Sequence, residues 1–355
     1  MTDRSGIICA GNWIVDLVHY VDRWPNESEL VRIGTQARGV GGGAANVITT
    51  LAKLETGLSL YPMGAIGKDE YGEFILNECR LLDLPTSGLK SKAGVATAHT
   101  HVMSLAGQSK TFFYQGGAND TLTIDDFPQG TFNGTSARIF YLGYLTLLRD
   151  LDQLIEDKTT NAAEVLKRAQ NAGLVTCIDL VSIHHPQFSQ IVGSAAPFVD
   201  FLISNEIEAA QATDTKADVE TLTNVKTLIK MAHGMLDLGV RKAVIIHCVE
   251  RVVWVDANRE AFIIEIEPLR PDEIASNLGA GDAFCAGLLY GIHENMGPER
   301  AIQLGNAAAQ ASLKGLQQLL RFWQRQLTHF DSLNGRLPPL TYLNLHETQG
   351  RIGFK

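Results

Sequence analysis

Gly279-Ala280-Gly281-Asp282 stands directly before the apolar run AFCAGLLYG. Glycines and alanine leave the backbone bare where a helix would begin. The unpartnered N–H groups of a helix N-terminus, aided by its dipole, bind anions. An acid beside such amides would repel a phosphate that is merely bound. It becomes useful if it takes a proton from an incoming hydroxyl while the amides hold a phosphoryl group. An acid also suits an ordinary helix start. The four residues alone leave both roles open.

A second glycine-rich turn, Gly41-Gly42-Gly43-Ala44-Ala45-Asn46, enters a helix marked by Val47, Leu51 and Leu54. Two common phosphate motifs do not fit. A P-loop needs Ser or Thr after its Gly-Lys pair, and Gly67-Lys68 is followed by Asp69. A dinucleotide fingerprint started at Gly279 meets Phe284 where the third glycine belongs.

The elements that must position these turns alternate along the chain. Strand-like GIICAG, LSLYPMGAIG, ARIFYLGYL, LVTCIDLV and DFLISN are separated by helical DEYGEFILNECRLLDL, NAAEVLKRAQNAG and EIEAAQAT. NVKTLIKMAHGMLDLG then precedes the strand KAVIIHCVERVVWV. Strands rich in Val, Ile and Leu between amphipathic helices predict an α/β fold: a doubly wound, mostly parallel sheet with helices on both faces. One domain over residues 1–355 is expected, with segments 13–40 and 93–118 forming a small β lid. Residues 316–355 read as a C-terminal helix and tail.

With 355 residues, 45% of them hydrophobic, the chain can bury a sizeable core. A net charge of −9 argues against general binding to nucleic acid or anionic membranes. No apolar run approaches the ~20 residues that span a bilayer. The start lacks a signal-peptide pattern. Five scattered cysteines without a CxxC pair read as reduced core thiols, so a soluble cytoplasmic protein is expected.

Together the turns resemble the ribokinase-like (PfkB) carbohydrate and nucleoside kinases over roughly residues 6–315. Gly41–Asn46 resembles the family's first signature and Gly279–Asp282 its second. Gly64-Ala65-Ile66-Gly67-Lys68-Asp69-Glu70-Tyr71-Gly72 is similar to its GxxGxDxxG segment. Gly117-Ala118-Asn119 resembles the GAN that closes the lid hairpin, and Asn205-Glu206-Ile207-Glu208 its NxxE motif.

The resemblance implies an ATP-dependent sugar kinase. Asp16, Gly42, Gly43 and Asn46 would bind the acceptor, and Asp282 would be the general base. The amides of Gly279, Ala280 and Gly281 would form the anion hole. Asn205 and Glu208 would organise Mg²⁺ through water, with His247 on the nucleotide side. A nucleoside acceptor, or a sensor of this fold with weak catalysis, are the alternatives. A homodimer through the lid is also implied.

The chain departs from the family at two places. His247, Val249 and Val252 stand where a Thr and two glycines of a nucleotide-side turn are expected. Ser276-Asn277-Leu278 replaces the usual Asp-Thr-Thr, which speaks against a potassium site. Trp13, Phe113 and Tyr114 could stack on a base or sugar face, or be lid core. His99 and His101 share a strand face and read as lid surface, facing substrate or solvent, because no third metal ligand is apparent. His184-His185 reads as a loop.

Overall fold

The computed structural model describes residues 4–105, 110–155, 158–276 and 278–315. The expected helix and tail at 316–355 lie outside them. Strands β1 (Ile7–Gly11), β2 (Ile14–Val21), β3 (Ile33–Gly41), β4 (Leu60–Gly67), β5 (Leu89–Lys92), β6 (His99–Leu105), β7 (Thr111–Gln115) and β8 (Ile139–Leu145) form the first part. A two-stranded pair, β9 (Leu154–Ile155) and β10 (Thr159–Thr160), follows. The rest are β11 (Val175–Leu180), β12 (Phe201–Asn205), β13 (Ala243–His247), β14 (Arg251–Asp256) and β15 (Ala261–Glu265).

Nine strands form the main sheet in the order β15-β14-β13-β12-β11-β8-β1-β4-β5. The run from β13 to β5 is parallel, and β14 and β15 complete one edge antiparallel. β1 is buried throughout, and its alternate residues feed two cores. Ile8 and Ala10 join the helices Asn161–Asn171, Phe188–Ala195 and Val225–Asp237 on one face. Ile7 and Cys9 join the helices Gly43–Lys53 and Ala280–His293 on the other. The predicted doubly wound architecture is therefore present. In the helix Gly43–Lys53, fully buried Val47, Ile48 and Leu51 contribute roughly 1.5–3 kcal/mol each.

Residues 242–255, read from sequence as one strand, fold back as β13 and β14. The amide of Cys248 donates to the Arg251 carbonyl across 2.8 Å, closing a tight turn at Val249-Glu250. Val252 returns into the ladder opposite His247 and is fully buried, while Val249 is 77% exposed. Neither valine has a positive φ, so this turn needs no glycine.

A separate four-stranded sheet, order β3-β2-β6-β7, is built from the two segments expected to form a lid. Buried Asn119 anchors it: its Oδ1 accepts from the Trp13 amide and its Nδ2 donates to the Trp13 carbonyl, both at 3.1 Å. The five cysteines are free, four of them buried. No helix among the described residues is long and apolar enough to cross a membrane.

Candidate active site

In open α/β sheets, ligands bind beyond the carboxyl ends of the strands. Here a cleft of about 500 Å³ opens there, roofed by the smaller sheet. Tyr144 near the end of β8, Asp179 near the end of β11, Asn205 at the end of β12 and His247 at the end of β13 all line it. Asp16 and Thr100 enter from the small sheet, and Gly279–Asp282 from the start of a helix.

That helix, Ala280–His293, starts at Gly279, whose φ of 74° is left-handed. No side chain caps it, so its first N–H groups are directed at the cleft without intrahelical partners. Asp282 lies in this first turn with its carboxylate buried. Its Oδ2 accepts from Asn46 Nδ2 at 2.8 Å and from the Tyr144 hydroxyl at 3.0 Å. Burial pushes the carboxyl up to about 6, and the two hydrogen bonds, which favour the ionised form, restrain the rise. A carboxylate ionised near neutral pH results, as a general base requires.

Asn46 was expected to line the acceptor pocket, and its side chain also holds the base. Gly42, at φ 94°, begins its helix, and the Asn46 amide donates back to the Gly42 carbonyl. Gly43 lies under Tyr144: a Cβ there would come within 2.6 Å of Cδ1 of the ring. Asp16 presses its carboxylate against Gly41, where any Cβ would collide with it. Burial raises the Asp16 carboxyl to about 6. The Asp282 charge adds to the rise, against the pull of Thr100 and Lys110.

Two residues that the sequence reading passed over, Tyr144 and Asp179, line the cleft, and a third, Lys110, acts on Asp16 from beside it. Asp179 accepts the Tyr144 amide at 2.8 Å, and burial, then the Asp282 charge, push its carboxyl well up. Tyr144 itself has a φ of 56°, a conformation costly for a side-chain-bearing residue. Lys110, beside Asp16, donates to Ser276 Oγ at 3.1 Å, and Ser276 Oγ also accepts the Leu278 amide. An acid ending a buried strand was the available signal for Asp179. Nothing local marks the other two.

On the far side, Asn205 caps the helix Glu206–Ala212 and shares a capping box with Glu208. Glu208 Oε1 accepts from Ser182 Oγ at 2.8 Å and Asn205 Nδ2 at 2.9 Å. Burial raises its carboxyl to about 7. Among the described residues no cation pairs with this buried carboxyl, which faces the cleft as the group that could hold a hydrated divalent ion would. Among the described residues no three acidic, His or Cys side chains could cage a metal. His247 packs on Phe284, ring centroids 5.0 Å apart, and burial lowers it to about 4, so it is neutral here.

The aromatic residues divide between the two readings left open for them. Trp13 is core, donating Nε1–H to the Met63 carbonyl. Phe113 stacks on Trp24 outside the cleft, whereas Phe112 and Tyr114 line it. His101 bonds His19 at 2.9 Å, and both lie on the face opposite Thr100. His184-His185 lies in a loop, as expected.

Residues 4–317 match the pattern of the pfkB family carbohydrate kinases. The chain belongs to that family. The 2-dehydro-3-deoxygluconokinase of Bacillus subtilis is 25% identical over 294 residues, covering 78% of this chain and 82% of that protein. The adenosine kinase of Saccharomyces cerevisiae is 24% identical over 301 residues, 81% of each chain. Among solved structures, the ribokinase of Giardia lamblia superposes with a TM-score of 0.75 at 18% identity, covering 92% of this chain and 99% of its own. A pfkB carbohydrate kinase with a ribokinase-like fold thus carries the cleft described above.

Proposed function

We propose that this pfkB kinase transfers the γ-phosphoryl group of ATP to a hydroxyl of a small sugar, with Asp282 as general base. The observation that carries this reading is the pairing of a buried, ionisable Asp282 with the uncapped helix start at Gly279–Gly281. Phosphoryl transfer is mostly positioning and charge neutralisation, and these parts supply both.

In this mechanism Asp16 accepts hydrogen bonds from acceptor hydroxyls and aligns one of them on Asp282. That hydroxyl gives its proton to the Asp282 carboxylate as its oxygen bonds to the γ-phosphorus and the bond to the ADP oxygen breaks. The amides of Gly279, Ala280 and Gly281 stabilise charge on the moving group. Asn205 and Glu208 would hold Mg²⁺ through water; the ion supplies charge neutralisation on the phosphates. His247 borders the nucleotide as a neutral ring. The chain is proposed to act as one domain in the cytoplasm, its four-stranded sheet serving as a lid and as the contact of a homodimer.

Incubation with MgATP and a panel of ribose, deoxyribose, 2-dehydro-3-deoxygluconate and adenosine tests the reading. ADP release with phosphorylation of a panel sugar is expected. Asp282→Asn should lose about 10²–10⁴-fold in turnover. Binding without turnover, unchanged in that variant, would favour a sensor. A nucleoside acceptor has one observation in its favour, the apolar wall of Ile14, Phe112, Tyr114 and Leu147. Turnover of adenosine alone would establish it.

A further inference from the structure

The charges at the acceptor end bear on a choice that the family leaves open. Asp16, Asp179 and Asp282 all line this part of the cleft. Burial raises the carboxyls of Asp16 and Asp179, and the Asp282 charge adds to the rise of each. Around them stand Ile14, Thr100, Phe112, Tyr114 and Leu147, which carry no charge at neutral pH. Among the described residues Lys110 is the one cation that acts on Asp16, and its ammonium also donates to Ser276 Oγ.

From this arrangement we infer that the acceptor is an uncharged polyhydroxyl compound and that sugar acids are excluded. The inference rests on the kinase reading above and concerns only what the site accepts. Two physical reasons lead to it. Ionised carboxylates accept hydrogen bonds and cannot donate them. Asp16 and Asp282 therefore need hydroxyl donors, which a neutral sugar supplies and an acceptor carboxylate does not. An incoming carboxylate would also add a negative charge to a buried site that already holds those of Asp16 and Asp282, next to the phosphates of the donor. Like charges brought together in a desolvated site are strongly disfavoured. Discrimination of about 10²-fold or more is expected from one such contact.

The test compares kcat/KM of the full-length protein for neutral sugars against sugar acids, with gluconate added to the panel. Neutral acceptors should lead by about 10²-fold. Asp16→Asn, confirmed as folded by its Tm, should narrow that ratio by removing one negative charge, even as its overall turnover falls. Lys110→Gln should leave the preference for neutral acceptors in place. A sugar acid turned over as well as the best neutral sugar overturns the inference. So does a ratio that Asp16→Asn leaves unmoved. If nothing in the panel is phosphorylated, the kinase reading fails, and acceptor charge is then read from binding. Thermal stabilisation by a neutral compound and none by its acid counterpart supports the inference. Stabilisation by a sugar acid of equal or greater size overturns it.

Discussion

The Tyr144 hydroxyl donates to Oδ2 of Asp282 across 3.0 Å, joining the end of a central strand to the first turn of the helix Ala280–His293. Asn46 donates to the same oxygen. Two donors on one oxygen hold the carboxylate in a single orientation and leave its other oxygen for the acceptor.

Tyr144→Phe should therefore change how activity depends on pH. The lost hydrogen bond favours the ionised carboxylate, so the Asp282 carboxyl should titrate above its present value of about 6. Since the base must be ionised, the acidic limb of kcat/KM should move to higher pH. For a shift of about one unit, activity should fall about fivefold at pH 6 and hardly at pH 8. A superimposable pH profile would remove Tyr144 from this role.

Asp282→Asn should be more stable than the parent while losing activity. The folded carboxyl is raised from 3.8 to about 6, so its contribution to stability is fully present below about 4. That contribution is lost as pH rises through 6, leaving a buried charge above it. Asparagine avoids that charge. The variant should gain on the order of 2 kcal/mol at pH 8, and the gain should vanish near pH 4. Urea melts at the two pH values measure it.

Gly43→Ala should disturb catalysis through packing alone. Its methyl group would fall 2.6 Å from the Tyr144 ring, which must tilt away and carry its hydroxyl off Asp282. Overpacking of this kind costs about 1–3 kcal/mol. A drop in kcat together with a lower Tm is expected. If Tyr144→Phe and Gly43→Ala are combined, the effects on kcat should be less than additive.

Glu208→Gln separates a metal role from a helix cap. A lost cap costs about 1 kcal/mol of stability and leaves the Mg²⁺ requirement alone. If Glu208 organises the ion, the Mg²⁺ concentration for half-maximal rate should rise tenfold or more, with the acceptor KM unchanged. Titration of Mg²⁺ at saturating acceptor reads the difference.

Much of this architecture was legible in the sequence, because glycine-rich turns and buried parallel strands have strong local patterns. Gly42 and Gly279 do adopt left-handed or extended-positive φ angles that favour glycine. Tyr144 and Lys110 were not legible, and Asp179 showed only as an acid near the end of a buried strand. The meaning of Tyr144 and Asp179 comes from the register of the parallel strands β8 and β11, far apart in sequence, and a lone Tyr or Asp at a strand end has no periodicity to betray it. The turn at Val249-Glu250 was hidden for a related reason: two apolar strands flank it without Gly, Pro or Asn. Phe112 and Phe113 show the limit of alternation, which separates two faces without saying which one sees the cleft.

The cleft is built by two sheets with different jobs. Asp16, Thr100, Phe112 and Tyr114 come from the small sheet, whereas Tyr144, Asp179, Asn205 and His247 come from strand ends of the large one. The two halves of the reaction are therefore encoded in separable pieces of chain. Changes in the small sheet can retune which molecule receives the phosphoryl group while the machinery that moves it stays in place. Such modularity gives one scaffold room to diversify its acceptors without re-inventing its chemistry.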